Sequence, residues 1–222
     1  MNVLRAIIIS MMFFKKLAAI SAVYCGLSYI AGMFVYLYIL QYNNATTAAA
    51  QIDITSSKAV LMHITTLHTY VLFSFAIILI ATYLYLKLKD QQQALGLLSL
   101  IIGIIWSTIL IASGFISMTV TSMFMSGAEI TGLENAWQAL DIIKNALGGG
   151  NELIGGVFTG LLSLAMYKAR FSSMLTSGLG AIVFVGGFIS SLPYLAEVGI
   201  GIFVISQILW FFSLGYDINK NE

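Results

Sequence analysis

Six stretches of the chain, residues 17–40, 59–86, 94–120, 151–167, 172–192 and 198–216, are apolar and almost free of charge, with Glu152 their single Asp, Glu, Lys or Arg. A run of about 20 apolar residues wound at 1.5 Å per residue covers the roughly 30 Å of a bilayer's hydrocarbon. In that medium every backbone N–H and C=O must be satisfied within the segment, which a helix achieves and an isolated strand does not. The windows therefore predict an all-α integral membrane protein of six transmembrane helices, forming a single domain over residues 1–222. Composition agrees: only 9% of residues are charged, against about 25% in a soluble domain.

Between the windows lie segments suited to water or headgroups. Gln41-Tyr42-Asn43-Asn44 follows the first window, and Lys87-Leu88-Lys89-Asp90-Gln91-Gln92-Gln93 separates the second from the third. Lys168 and Arg170 close the fourth, Pro193 the fifth and Asp217 the sixth. Short loops rich in Lys and Arg stay in the cytoplasm. Placing both termini there puts Arg5, Lys15, Lys16, Lys87, Lys89, Lys168, Arg170 and Lys220 inside and leaves Lys58 and Lys144 outside. Residues 1–14, ending at the Lys15-Lys16 pair without a small-residue cleavage site, read as an interfacial helix on the cytoplasmic face rather than a secretory signal.

Residues 131–160 combine an amphipathic pattern with a glycine run. Leu133, Ala136, Leu140, Ile143 and Leu147 recur at helical spacing, and Thr131 and Glu134 have capping-box spacing, so an amphipathic helix on the outer face is expected before the fourth span. Gly148-Gly149-Gly150 should stop it in left-handed conformations, with Asn151 as the next N-cap. Gly156 and Gly160, like Gly187 and Ser191, have the small-xxx-small spacing of closely packed membrane helices.

The runs NAWQALDIIKNALGGGNELIGGVFTGLLSLAMYKA and SLPYLAEVGIGIFVISQILWFFSLG resemble the C-terminal half of a family of bacterial six-span membrane proteins known as domain of unknown function 4386. Trp106, Gly148 to Glu152 and Trp210 carry the resemblance, which covers roughly residues 94–216 and reaches the first two spans only through hydropathy. It implies six spans and residence in the bacterial cytoplasmic (inner) membrane, and it implies no activity.

Chemistry must come from polar groups that hydrocarbon would penalise. His63 and His68 lie in the outer part of the second window, but five residues of helix rotate their side chains apart by roughly 140°, which disfavours a shared metal or a bis-histidine haem. A histidine could instead meet Glu152, with Asp141, Asn151 and Glu197 nearby, in an outward-facing polar cavity that relays protons or holds a cation. Capping of the fourth helix by Asn151 and Glu152 is the structural alternative. Gln207, in the middle of the sixth window, reads as interhelical glue or part of a polar path. Cys25 reads as packing, and Gly178-Leu179-Gly180 as packing rather than a phosphate cradle.

No catalytic residue, metal or cofactor is specified by these residues, and a net charge of +1 with scattered cations argues against nucleic acid. Three readings remain. The first is a carrier or binding protein for an ion or small molecule in the outer cavity. The second is a non-catalytic accessory subunit binding a membrane partner or a second copy through small-residue helix faces. The third, a membrane-embedded enzyme, is the weakest because ionisable groups are so few.

Overall fold

The computed structural model describes residues 2–127, 132–149 and 151–221, with side chains described from Met11 onward except at Gly148 and Gly149. Those residues are helical almost throughout, and no strand occurs among them. Helix α1 spans Asn2–Phe34 and continues into a π-helical turn, Val35–Ile39. The short helix α2, Ala48–Ser57, leads into α3, Ala59–Thr66, a second π-helical turn, Leu67–Leu72, and α4, Phe73–Met125. Helix α5 is Leu133–Lys144, extended by a third π-helical turn, Asn145–Gly149. Helices α6, α7 and α8 cover Glu152–Lys168, Met174–Ser190 and Ala196–Lys220.

Among the described residues, three helical stretches are long and apolar enough to cross a membrane: Met11–Ile39, Ala59–Met125 and Ala196–Lys220. The second is two limbs, because Gln92 (φ −137°, ψ 52°) leaves helical geometry inside α4. The break falls in the charged turn between the second and third windows.

The chain forms two compact units. The first holds residues 1–27, 75–107 and 152–222, and the second residues 28–74 and 108–151. In the first, α6 and α7 meet backbone to backbone: a Cβ at Gly156 would lie 3.2 Å from both Gly187 Cα and Val183 O, and one at Gly187 would overlap the Glu152 carbonyl oxygen. Gly160 faces Phe184 Cβ in the same seam. Helix α8 approaches α7 as closely, since a Cβ at Gly186 would come within 2.7 Å of Phe203 N. Close approach multiplies dispersion contacts between the helices. Trp106, Phe158, Trp210 and Phe211 form a buried aromatic column beside this seam, with successive ring centroids 5.7, 6.4 and 5.3 Å apart. Cys25 is fully buried, as packing requires. Of the other glycine pair, Gly180 abuts Ser163 and Trp210, whereas Gly178 faces open space.

Three local expectations differ from what is observed. Residues 2–14 form no separate interfacial helix: α1 passes through Lys15-Lys16 unbroken, because lysine is a good helix former whose long stem lets its charge reach water without a break. Helix α5 begins at Gly132 in the left-handed region (φ 67°), a conformation only glycine adopts without strain; the expected cap Thr131 lies outside the described residues. Gly148 and Gly149 do not stop α5 but carry it on as the π-helical turn, and Gly150 lies outside the described residues.

Candidate functional site

The polar residues singled out from sequence divide between the units. Glu152, Glu197 and Gln207 belong to the first, and His63, His68, Asp141 and Asn151 to the second. Glu152 occupies the first turn of α6 and Glu197, exposed, the first turn of α8. Acidic side chains there favour the positive end of the helix dipole. Asn151 is a half-buried turn residue directly before α6.

Gln207 is fully buried, and its Oε1 accepts from Thr159 Oγ1 at 3.0 Å while its Nε2 has no partner. One turn further along α8, Trp210 Nε1 donates to Ser163 Oγ at 2.8 Å. These two bonds join α8 to α6 and make Gln207 the interhelical glue of the first unit.

Asp217 plays a part its sequence position hides. It is only 3% exposed, and its Oδ2 accepts from Ser173 N (2.8 Å), Ser173 Oγ (3.1 Å) and Thr176 Oγ1 (2.6 Å). The carboxylate thus sits on the N-terminus of α7, where unpaired N–H groups and the helix dipole favour an anion. Asn221 Nδ2, donating to Phe171 O at 2.6 Å, extends the clasp.

The second unit holds a cavity of about 140 Å³. Two of its tyrosines come from π-helical turns, Tyr36 from Val35–Ile39 and Tyr70 from Leu67–Leu72, and Asn145 comes from the third such turn. A π-helical turn inserts one residue into the helical register, re-aiming side chains in a way often found at functional sites. Tyr42 packs edge-on to Tyr36, with centroids 6.0 Å apart, and lines the same space. Hydroxyls of Thr55, Thr66, Ser117 and Thr121 supply further polar wall, and Met62, Ile116, Val120 and Leu140 the apolar remainder.

Helix α5 closes one side of the cavity through Trp137, Leu140, Asp141 and Lys144. It is fastened twice. Trp137, 7% exposed, donates through Nε1 to Gln51 Oε1 on α2 at 2.9 Å, and Ser113 Oγ on α4 donates to the Lys144 carbonyl at 3.1 Å. Ser113 thus tethers α4 to α5.

The charges of the wall satisfy one another. Lys144 Nζ lies 2.8 Å from Asp141 Oδ1, and Asn145 Nδ2 donates to Asp141 Oδ2 at 3.0 Å. Tyr42 also senses this carboxylate: burial first, and the Asp141 charge second, push its phenol up to about 12. The phenol accordingly keeps its proton, and its donor, throughout the physiological range.

Of the sequence-selected residues, the structure brings only Asp141 to this cavity. His63 Nδ1 lies 2.9 Å from Oγ1 of Thr121, a residue of the cavity wall, in a bond between α3 and α4. His68 lies within a π-helical turn, and neither imidazole lines the cavity. Among the described residues no group of three His, Cys, Asp or Glu could hold a metal ion. Tyr36, Tyr70, Trp137 and the wall hydroxyls were the residues sequence reasoning missed. Each belongs to an apolar or amphipathic segment where aromatic and small hydroxyl residues normally serve as anchors or packing.

Comparison of the chain with protein-family models, with curated proteins and with solved structures finds no match. The family resemblance over residues 94–216 thus rests on its motifs alone.

Proposed function

We propose that the chain is a six-span protein of the bacterial cytoplasmic membrane, with both termini inside, that binds a small molecule in the outward-facing cavity of its second unit. Several facts support the topology. Each of the six apolar windows coincides with helix, and the second and third are separated by the break at Gln92. Helices α6 and α7, 17 residues each, are about 26 Å long at 1.5 Å per residue, close to the hydrocarbon thickness. Eight of the ten cations fall on the turns assigned to the inside. The family resemblance supports a bacterial membrane.

The observation that carries the functional reading is the cavity wall itself: aromatic rings, four hydroxyl side chains and a pre-formed ion pair around one partly open space. Binding sites are concave, mostly apolar and furnished with a few convergent polar groups. Whether the ligand is then carried across depends on motions that a binding site alone does not specify, so binding is the function assigned.

The test is a thermal-shift screen of ions and small organic molecules against the full chain in lipid nanodiscs, repeated on Ser117→Phe, whose ring would fill the cavity. At least one compound should raise the melting temperature of the wild type saturably and leave the variant unmoved, since a ligand stabilises only the state it binds. A screen in which every stabilising compound acts equally on both proteins rejects the site.

An accessory role is favoured by a different observation. An apolar groove on the first unit between α1 and α8 exposes Ile20, Val23 and Leu27 beside Gly215, where α8 packs closely on α1. Co-purification of a stoichiometric membrane partner, lost in Ile20→Gln, would support it.

A further inference from the structure

We infer that the cavity selects a net-uncharged, ring-sized amphiphile, a phenol-like or indole-like molecule, and rejects ions; this rests on the reading of the cavity as a ligand site. Size sets the first bound. A cavity near 140 Å³ matches the roughly 150 Å³ space known to hold one benzene ring. It is too small for a lipid or a peptide.

Charge sets the second. The acidic and basic groups on the wall are Asp141 and Lys144, and they are spent on each other at 2.8 Å, with Asn145 occupying the second carboxylate oxygen. An ion entering this space would meet no unspent counter-charge, or would have to break a pair whose side chains are only 26% and 32% exposed, and a charge left without a partner there is penalised. A neutral guest disturbs nothing.

The third bound is the wall's pattern. Tyr36, Tyr42, Tyr70 and Trp137 present ring edges and faces suited to an aromatic guest, which prefers offset or edge-to-face neighbours. Ser117 stands among them as a partner for one hydroxyl or N–H. The guest therefore combines a ring with a single polar group.

Phenol and indole should be titrated calorimetrically into the full chain in nanodiscs at pH 7, beside benzylamine and benzoate as a cation and an anion of matching size. Phenol or indole should bind saturably, and both charged analogues about tenfold or more weakly, the ratio that about 1.4 kcal/mol produces. Ser117→Phe should abolish the saturable heat. Should that variant fail to fold, phenol should instead slow thiol labelling of Ser117→Cys, placing the guest in the same space. Benzylamine or benzoate binding as tightly as phenol, and lost with Ser117→Phe, overturns the selectivity and leaves the site standing. Heat that Ser117→Phe does not remove, or phenol that gives Ser117→Cys no protection, overturns the site itself.

Discussion

The two units spend their polar groups in opposite ways. In the first, glycines bring α6, α7 and α8 so close that backbone touches backbone, and Gln207, Ser163 and Asp217 are consumed in joining one helix to the next. In the second, π-helical turns bring Tyr36, Tyr70 and Asn145 to a space shared with hydroxyls from α2, α3 and α4. Buried polarity in the first joins helix to helix, whereas in the second the charges pair locally around a cavity whose wall keeps Ser117 as a hydroxyl. The lesson is that counting polar residues inside apolar windows does not locate a site: what matters is whether their partners are already supplied.

The largest effect that would break this contrast is in the first unit. Alanine normally stabilises a helix by about 1 kcal/mol over glycine, but Gly187→Ala should destabilise by about 1–3 kcal/mol, because its methyl meets the Glu152 carbonyl in a seam with no room to relax. Gly178→Ala, in the same helix but facing open space, should show the ordinary gain of about 0.4–1 kcal/mol. Reversible unfolding in mixed micelles would read both signs. Equal behaviour of the two variants would remove the packing argument.

Next in size, Asp217→Ala should cost about 1.5–3 kcal/mol, since it removes the charged acceptor shared by Ser173 N and the buried Thr176 Oγ1. Asp217→Asn, which keeps a carbonyl oxygen, should recover part of the loss in the same assay. Full recovery would show that the negative charge at the start of α7 contributes nothing.

In the second unit, Trp137→Phe removes the donor to Gln51 and trims a buried indole to a phenyl, so a loss of about 1–2 kcal/mol is expected. Faster hydrogen exchange should then be confined to α2 and α5.

The smallest effect concerns pH. The phenol of Tyr42 ionises near 10 in an unfolded chain and is pushed up to about 12 by burial and the Asp141 charge. The folded state holds this proton more tightly, so its contribution is intact below about pH 10 and falls away as pH rises toward about 12. Tyr42→Phe should flatten that alkaline loss, measured by unfolding across the window.

Much of the first unit was legible in the sequence. Charge-free windows announced its helices, and the spacing of Gly156, Gly160 and Gly187 announced a close seam, because both depend on residue type alone. The turn at Gln92 could be read from the charged run around it. Less could be read of the second unit. A π-helical turn is a change of hydrogen-bond register with no residue signature, so nothing in Val35–Ile39 or Leu67–Leu72 marks Tyr36 or Tyr70 as cavity residues. The histidines drew attention because hydrocarbon penalises them, yet His63 is occupied by Thr121. Asp217, which looks like the end of a span, is a buried cap because its partners lie more than 40 residues away in sequence.

The measurement that bears most directly on the account is the side of the membrane each unit's turns face. In intact cells a membrane-impermeant maleimide should label Asn145→Cys, at the cavity rim, and should reach Lys89→Cys only after the membrane is permeabilised. Labelling of Lys89→Cys from outside, or protection of Asn145→Cys until the cells are opened, would contradict an outward-facing cavity carried on inward-facing basic turns.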